Sequence, residues 1–174
     1  MTRPRVVLVG PMGSGKTTVA ALLASRWGVP VRDTDHDVER SDGRPISDIF
    51  VEDGEDHFRA LERQAVARAL AEHDGVLALG GGAVLAAETR DLLAGHTVVF
   101  LRVGLAAAVK RVGLGTGRPL LLGNVRSRVK ALLDERTPIY ESVATFSVDT
   151  DERTPEDVAA EIARAVELSV EEHE

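Results

Sequence analysis

The octapeptide Gly10-Pro11-Met12-Gly13-Ser14-Gly15-Lys16-Thr17 has the spacing G-x-x-x-x-G-K-[ST], a glycine loop suited to phosphate. The backbone N–H groups of such a loop converge on an anion at a helix N-terminus, where the peptide dipoles also favour negative charge. Lys16 can reach the β- and γ-phosphates, and the Thr17 hydroxyl can coordinate Mg²⁺. Gly13, Ser14, Gly15 and Thr18 complete the expected cradle. A plain Gly-rich turn can match the same pattern, so the flanks decide. Arg5 to Val9 is short, β-branched and apolar, as a buried strand would be, and Thr18 to Trp27 is Ala- and Leu-rich, as a helix would be. In that context a nucleoside triphosphate is the expected ligand.

Asp33-Thr34-Asp35 ends a second apolar run, Val29 to Thr34. Strand alternation would put both carboxylates on one side, near the mouth of the site. One carboxylate could help hold Mg²⁺, and the other could accept a proton from a substrate hydroxyl. The plainer reading is a polar strand exit with an Asx turn. His36 lacks a second His at ligand spacing and reads as surface or packing. Arg59 and Glu62, three apart on a helical pattern, can pair at the edge of an apolar stripe, leaving a braced Arg to grip a carboxylate. Gly80-Gly81-Gly82 follows a third apolar run and would let a ligand approach the backbone closely. Arg118 sits in Gly113-Leu114-Gly115-Thr116-Gly117-Arg118-Pro119, a stretch that reads as too Gly-rich to be regular. Followed by three leucines, it suits a lid over about residues 112–125 that brings positive charge to a γ-phosphate and excludes water.

The elements that must position these groups alternate between strand-like and helical runs, the pattern of an α/β protein with a parallel sheet. Strands are expected over 75–79, 97–101 and 145–148 besides the first two. Helices are expected over 45–51, 54–72, near 105–112, over 125–136 and on past Pro138 with a break, and over 155–170. In the second of these, Phe58, Leu61, Ala65 and Ala69 recur at helical spacing. Ligands of open α/β sheets bind beyond the carboxyl ends of the strands, which is where the glycine loop, the paired aspartates and the triple glycine fall.

The whole chain narrows the choice further. Its 174 residues suggest a single domain, 1–174. With only six aromatic residues, the core must rest on Leu, Val, Ile and Ala. No cysteine is present, which excludes disulfides, thiolate metal sites and thiol catalysis. A net charge of −7 argues against general nucleic-acid binding, which needs a basic face. No apolar stretch approaches a membrane span and a strand begins almost at once, so a cytoplasmic protein without a signal peptide is expected. A monomer is the default expectation. Among 18 Arg and only three Lys, Lys16 stands out.

Together these motifs resemble shikimate kinase, within the nucleoside-monophosphate-kinase-like group of P-loop proteins. The resemblance runs from Val6 to about Pro155. It is carried by Gly10 to Thr17, Asp33-Thr34-Asp35, Asp53 to Glu62, Leu79-Gly80-Gly81-Gly82-Ala83-Val84, Arg118-Pro119-Leu120-Leu121 and Arg136-x-Pro138-x-Tyr140. It implies a three-layer fold with five parallel strands in the order 2-3-1-4-5, helices on both faces, a mobile lid and an acceptor-binding region over about 33–62. The implied reaction moves the ATP γ-phosphate to the 3-hydroxyl of shikimate. By resemblance, Lys16 and its loop bind phosphates, Thr17 and Asp33 serve Mg²⁺, and Asp35 binds substrate hydroxyls as candidate base. Arg59 and Arg136 grip the carboxylate with Glu62 holding an arginine, Gly80 to Gly82 contact the substrate, and Arg118 is the lid arginine. Arg111, Arg153 and Pro155 would lie around adenine. A gluconate-type kinase, an adenylate-type kinase and a nucleotide-dependent switch protein without turnover are the competing readings.

Overall fold

The computed structural model describes residues 3–116 and 122–172. Strand β1 (Val6–Val9) leads through the glycine loop into helix α1 (Lys16–Trp27), and β2 (Val31–Asp33) leads directly into α2 (Thr34–Asp42). Helices α3 (Ile46–Asp53) and α4 (Glu55–Glu72) return the chain to β3 (Val76–Ala78). A 3-10 turn (Ala83–Leu85) and α5 (Ala87–Leu93) connect to β4 (Val98–Arg102). Then come α6 (Leu105–Thr116), α7 (Leu122–Val143), β5 (Phe146–Asp149) and α8 (Pro155–Glu172).

All five strands are parallel, in the order β2-β3-β1-β4-β5. The strand runs are continuously apolar because the sheet is covered on both faces. Val6 and Leu8 point to the face packed by α1 and α8, in a core with Leu23, Ile162 and Val166. Val7 and Val9 point to the other face, in a core with Val66, Phe100 and Tyr140 from α4, β4 and α7. A third, smaller cluster of Val38, Ile49, Phe58 and Ala65 joins α2, α3 and α4 beside the sheet edge. That cluster anchors the segment carrying the paired aspartates and Arg59.

Four sequence expectations change. Asp33-Thr34-Asp35 is not a strand end throughout: Asp33 is the N-cap of α2 and Asp35 lies in that helix's first turn. Helix α2 buries only Thr34 and Val38, so it carries no apolar period to read. Its acidic start suits a helix N-terminus. Helix α5 likewise went unread, being short and mostly polar. Helix α6 continues through Gly113 and Gly115 to Thr116, where an irregular segment was expected. Each helical glycine costs about 1 kcal/mol relative to alanine, a penalty that an already nucleated helix can absorb. Helix α7 continues past Pro138 as expected, but without the expected break. Proline forfeits one helical hydrogen bond there, and the buried Tyr140 holds the following turn in the core.

The edge strand β2 depends on one close approach. A side chain on Gly75 would strike the backbone carbonyl of Pro30, whose carbon lies 2.9 Å from the Cβ position. The same carbonyl accepts a hydrogen bond from Val76 N at 2.9 Å. Gly75→Ala should force β2 away from β3 and destabilise the protein by roughly 1–3 kcal/mol. Urea unfolding should show this as a lower midpoint at unchanged slope, and a midpoint equal to wild type would mean the edge moves freely.

Candidate active site

The glycine loop takes its shape from backbone conformations closed to most residues. Gly13 and Gly15 have φ of 84° and 91°, in the left-handed region. The loop delivers the chain into α1 with Lys16 and Thr17 as its first residues. Lys16 Nζ donates to the loop's own carbonyls, Gly10 O at 2.6 Å and Pro11 O at 3.0 Å, and lies 3.5 Å from Ser14 Oγ. Burial lowers the Lys16 pKa to about 8, against the opposing pull of the Asp35 and Asp33 charges. Arg111 braces the loop from α6, donating to Gly13 O at 2.6 Å.

Asp33 does two things. Its Oδ1 accepts from Asp35 N at 2.9 Å, capping α2, and its Oδ2 accepts from the Thr17 hydroxyl at 3.4 Å. The Asx-type cap and the approach to Thr17 coexist, so the two readings of this aspartate were not exclusive. Thr17 and Asp33 offer a hydroxyl and a carboxylate, hard oxygen donors of the kind Mg²⁺ takes together with phosphates and water. Asp35, two residues on in the first turn of α2, has its pKa raised to about 6, first by burial and then by the Asp33 and Glu62 charges, with Lys16 acting against them.

The triple glycine does not owe its composition to special backbone angles. None of Gly80, Gly81 and Gly82 has positive φ among the described residues. What they provide is room. A Cβ on Gly80 would lie 2.5 Å from Asp35 Oδ1 and 3.0 Å from Glu62 Oε2, and one on Gly82 would collide with the Arg59 guanidinium. Gly80 N donates to the fully buried Thr34 hydroxyl at 3.2 Å, extending the β2–β3 ladder by a side chain after β2 has turned into helix. Gly80 is therefore covered by protein, while Gly81 and Gly82 face the cleft.

Arg59 pairs with Glu62 at 2.8 Å. Glu62 is only 3% exposed, so the pair sits inside the buried stripe of α4 rather than at its edge. Burial raises the Glu62 pKa, and the hydrogen bond from Arg59 opposes the shift. Arg59 Nε lies 3.5 Å from Glu55 Oε1 but not in line for a hydrogen bond, and Arg136 Nε is also buried without a partner. Both arginines line the same cleft.

That cleft has a volume of about 550 Å³ and is walled by Gly13, Gly15, Lys16, Thr17 and Thr18 on one side. Asp33, Asp35, Arg59, Glu62 and Arg136 wall the other, with Phe50, Phe58 and Leu132 giving it an apolar flank. The structure thus gathers the loop, both aspartates, both arginines and two of the three glycines. Ser14 and Gly80 support the walls from behind, and Arg111, Arg153 and Pro155 do not line this cleft. Arg153 is engaged with Asp149 O, Asp157 O and Glu161 instead. Arg118 lies outside the described residues, as do most side chains of the lid expected over 112–125.

A family model described as shikimate kinase matches residues 12–167. This chain belongs to the shikimate kinase family. A relative from Thermobifida fusca is 61% identical over 94% of this chain and 95% of its own, and is named shikimate kinase. Another, from Salinispora arenicola, is 63% identical over 92% and 96%. The solved shikimate kinase from Acinetobacter baumannii, in complex with shikimate, is 34% identical and superposes with a TM-score of 0.88, covering 97% of this chain and 95% of that one. Two supports went unread in the sequence. Tyr140 was noted only as part of a motif and Thr34 only as a spacer, since their partners lie 59 and 46 residues away.

The buried acid makes a stability prediction. Asp35 binds its proton more tightly folded than unfolded, so stability falls as pH rises from about 4 to about 6 and stays lower above that. Near pH 7 the ionised carboxylate costs on the order of 3 kcal/mol. Asp35→Asn should therefore melt higher than wild type near pH 7 in metal-free, ligand-free buffer, with the gap closing toward pH 4. A variant that is less stable near pH 7 would show that the carboxylate is held comfortably in its charged form.

Proposed function

We propose that the cleft transfers the γ-phosphate of ATP to the 3-hydroxyl of shikimate, yielding shikimate 3-phosphate and ADP for aromatic amino-acid (chorismate) biosynthesis. Family membership makes the chain an ATP-dependent phosphotransferase. The observation that carries the choice of acceptor is the pair of buried, unpartnered Nε groups of Arg59 and Arg136. Two guanidinium groups on one wall match a carboxylate, which each can grip with parallel N–H donors. An acid beside them matches a polyhydroxylated ring, and a phosphate loop stands opposite.

In this reading the loop N–H groups and Lys16 hold the phosphates, whose oxygens replace the Gly10 and Pro11 carbonyls as acceptors for Nζ. Their negative charge favours protonated Lys16. Thr17 and Asp33 would hold Mg²⁺, which screens charge on the β- and γ-phosphates when bound. Glu62 fixes Arg59, and the glycine backbone of Gly81 and Gly82 bounds the ring. Asp35 accepts the proton of the acceptor hydroxyl as its oxygen bonds to the γ-phosphorus and the bond to the bridging oxygen breaks. A carboxylate with pKa about 6 is ionised near pH 7 yet more basic than an ordinary aspartate. Arg118 is proposed as the lid arginine that meets the γ-phosphate, and Arg111, Arg153 and Pro155 as the adenine side. The reading takes the enzyme as cytoplasmic and monomeric.

An acceptor panel of shikimate, gluconate, quinate and AMP with Mg·ATP tests the assignment through coupled ADP release. Shikimate should be the acceptor turned over fastest. Faster turnover of gluconate would transfer the assignment to the sugar-acid kinase reading, and no acceptor-dependent turnover would leave a switch protein.

The two aspartates should separate by metal dependence. Asn caps a helix as well as Asp, so Asp33→Asn keeps α2 and should raise the Mg²⁺ requirement alone. Asp35→Asn should leave that requirement nearly unchanged and cut turnover by about 10²-fold, the low end for general-base loss, because a loose transition state needs little nucleophile activation. If extra Mg²⁺ rescued Asp35→Asn instead, the two roles would be exchanged.

A further inference from the structure

Tyr140 is fully buried, yet its hydroxyl reaches the wall of the cleft. It donates to Gly81 O at 2.5 Å while its ring packs on Phe100 of β4, with centroids 5.0 Å apart. The preceding turn of α7 carries Arg136 at i−4, on the same helical face. Burial raises the Tyr140 pKa, and Arg136 and Arg59 oppose the rise. On the other side of the same backbone, the Arg59 guanidinium rests against Gly82. The two arginines are thus referred to consecutive glycines, Arg59 by direct packing and Arg136 through the Tyr140 anchor.

We propose that Tyr140 is a positioning residue that sets the separation of Arg136 from Arg59, and through it the fit of the acceptor's carboxylate. This rests on the acceptor reading above. Pro138 removes one of α7's own hydrogen bonds two residues before the anchor, while Ile139 and Val143 pack on the same core and Glu141 accepts from Arg102 at 2.9 Å. A phenolic hydroxyl on a main-chain oxygen fixes both the height and the rotation of the helix face carrying Arg136. The ring alone, packed on Phe100, fixes height but leaves rotation to softer contacts.

Tyr140→Phe separates the two contributions, because it keeps the ring and removes the hydroxyl. One neutral hydrogen bond of about 1 kcal/mol corresponds to a roughly 3- to 10-fold change. The variant should raise the KM for shikimate by that factor, with kcat within about 2-fold and the KM for ATP unchanged. A general loss of structure would move both KM values and kcat together. The decisive measurement is the double-mutant cycle with Arg136→Ala. In the Arg136→Ala background, Tyr140→Phe should have almost no further effect on shikimate KM. Additive effects, or an equal rise in the KM for ATP, would overturn the positioning role and leave Tyr140 as packing. Should Tyr140→Phe unfold, differential scanning calorimetry will show it, and Tyr140→Trp, which keeps an N–H donor on a buried ring, should then restore shikimate KM relative to Tyr140→Leu; equal KM values for those two would equally overturn the proposal. Failure of wild type to phosphorylate shikimate would sink the acceptor assignment itself, an outcome separate from all of these.

Discussion

Three consecutive glycines form the surface on which the wall of the cleft carrying Asp35, Arg59 and Glu62 is assembled. Gly80 lies under Asp35 and Glu62, Gly81 takes the Tyr140 hydroxyl, and Gly82 lies under Arg59. The constraint is one of distance. Four polar side chains from α2, α4 and α7 can share one small volume only if the backbone between them carries no side chain of its own. A methyl group on Gly80 or Gly82 would displace the charged ends of Asp35 and Glu62 or of Arg59 rather than solvent.

The close packing has an electrostatic consequence. Three carboxylates, Asp33, Asp35 and Glu62, and two arginines, Arg59 and Arg136, converge with Lys16 on a partly dry cleft. The Glu62 charge is balanced directly by Arg59 at 2.8 Å. Burial raises the pKa of both acids; the Asp33 and Glu62 charges add to the rise at Asp35 with Lys16 opposing, whereas the hydrogen bond from Arg59 opposes the rise at Glu62. The fold thus stores an acid without a short cationic partner on the wall of the cleft. Functional sites commonly carry such groups at a cost to stability.

The sheet explains how these parts meet. The order β2-β3-β1-β4-β5 places β3, and hence the triple glycine, between β1 with its phosphate loop and β2 with its aspartates. Thr34 ties β2 to β3 just beyond the end of their ladder, and Arg111 ties α6 to the phosphate loop. The glycine loop and the wall carrying the aspartates and Arg59 are therefore joined through neighbouring strands, and the small Val38–Ile49–Phe58–Ala65 core holds α2, α3 and α4 to that edge.

The glycine loop, its flanking strand and helix, and the Arg59–Glu62 pair were legible in the chain because each is made by residues within one or two helical turns of one another. Local backbone geometry and i,i+3 spacing suffice for those. The strand order and the acceptor came with the family resemblance carried by several such segments together. The sequence by itself did not disclose α2, whose polar start hides its period, nor the continuation of α6 through two glycines. It offered close approach of a ligand as the reason for Gly80 to Gly82, and the tertiary structure adds another: side chains from distant elements need that space. The tie from Tyr140 to Gly81 and that from Thr34 to Gly80 were also decided in three dimensions. A hydrogen bond across 59 or 46 residues leaves no periodic trace in the chain, because it depends on where two packed elements come to rest against each other.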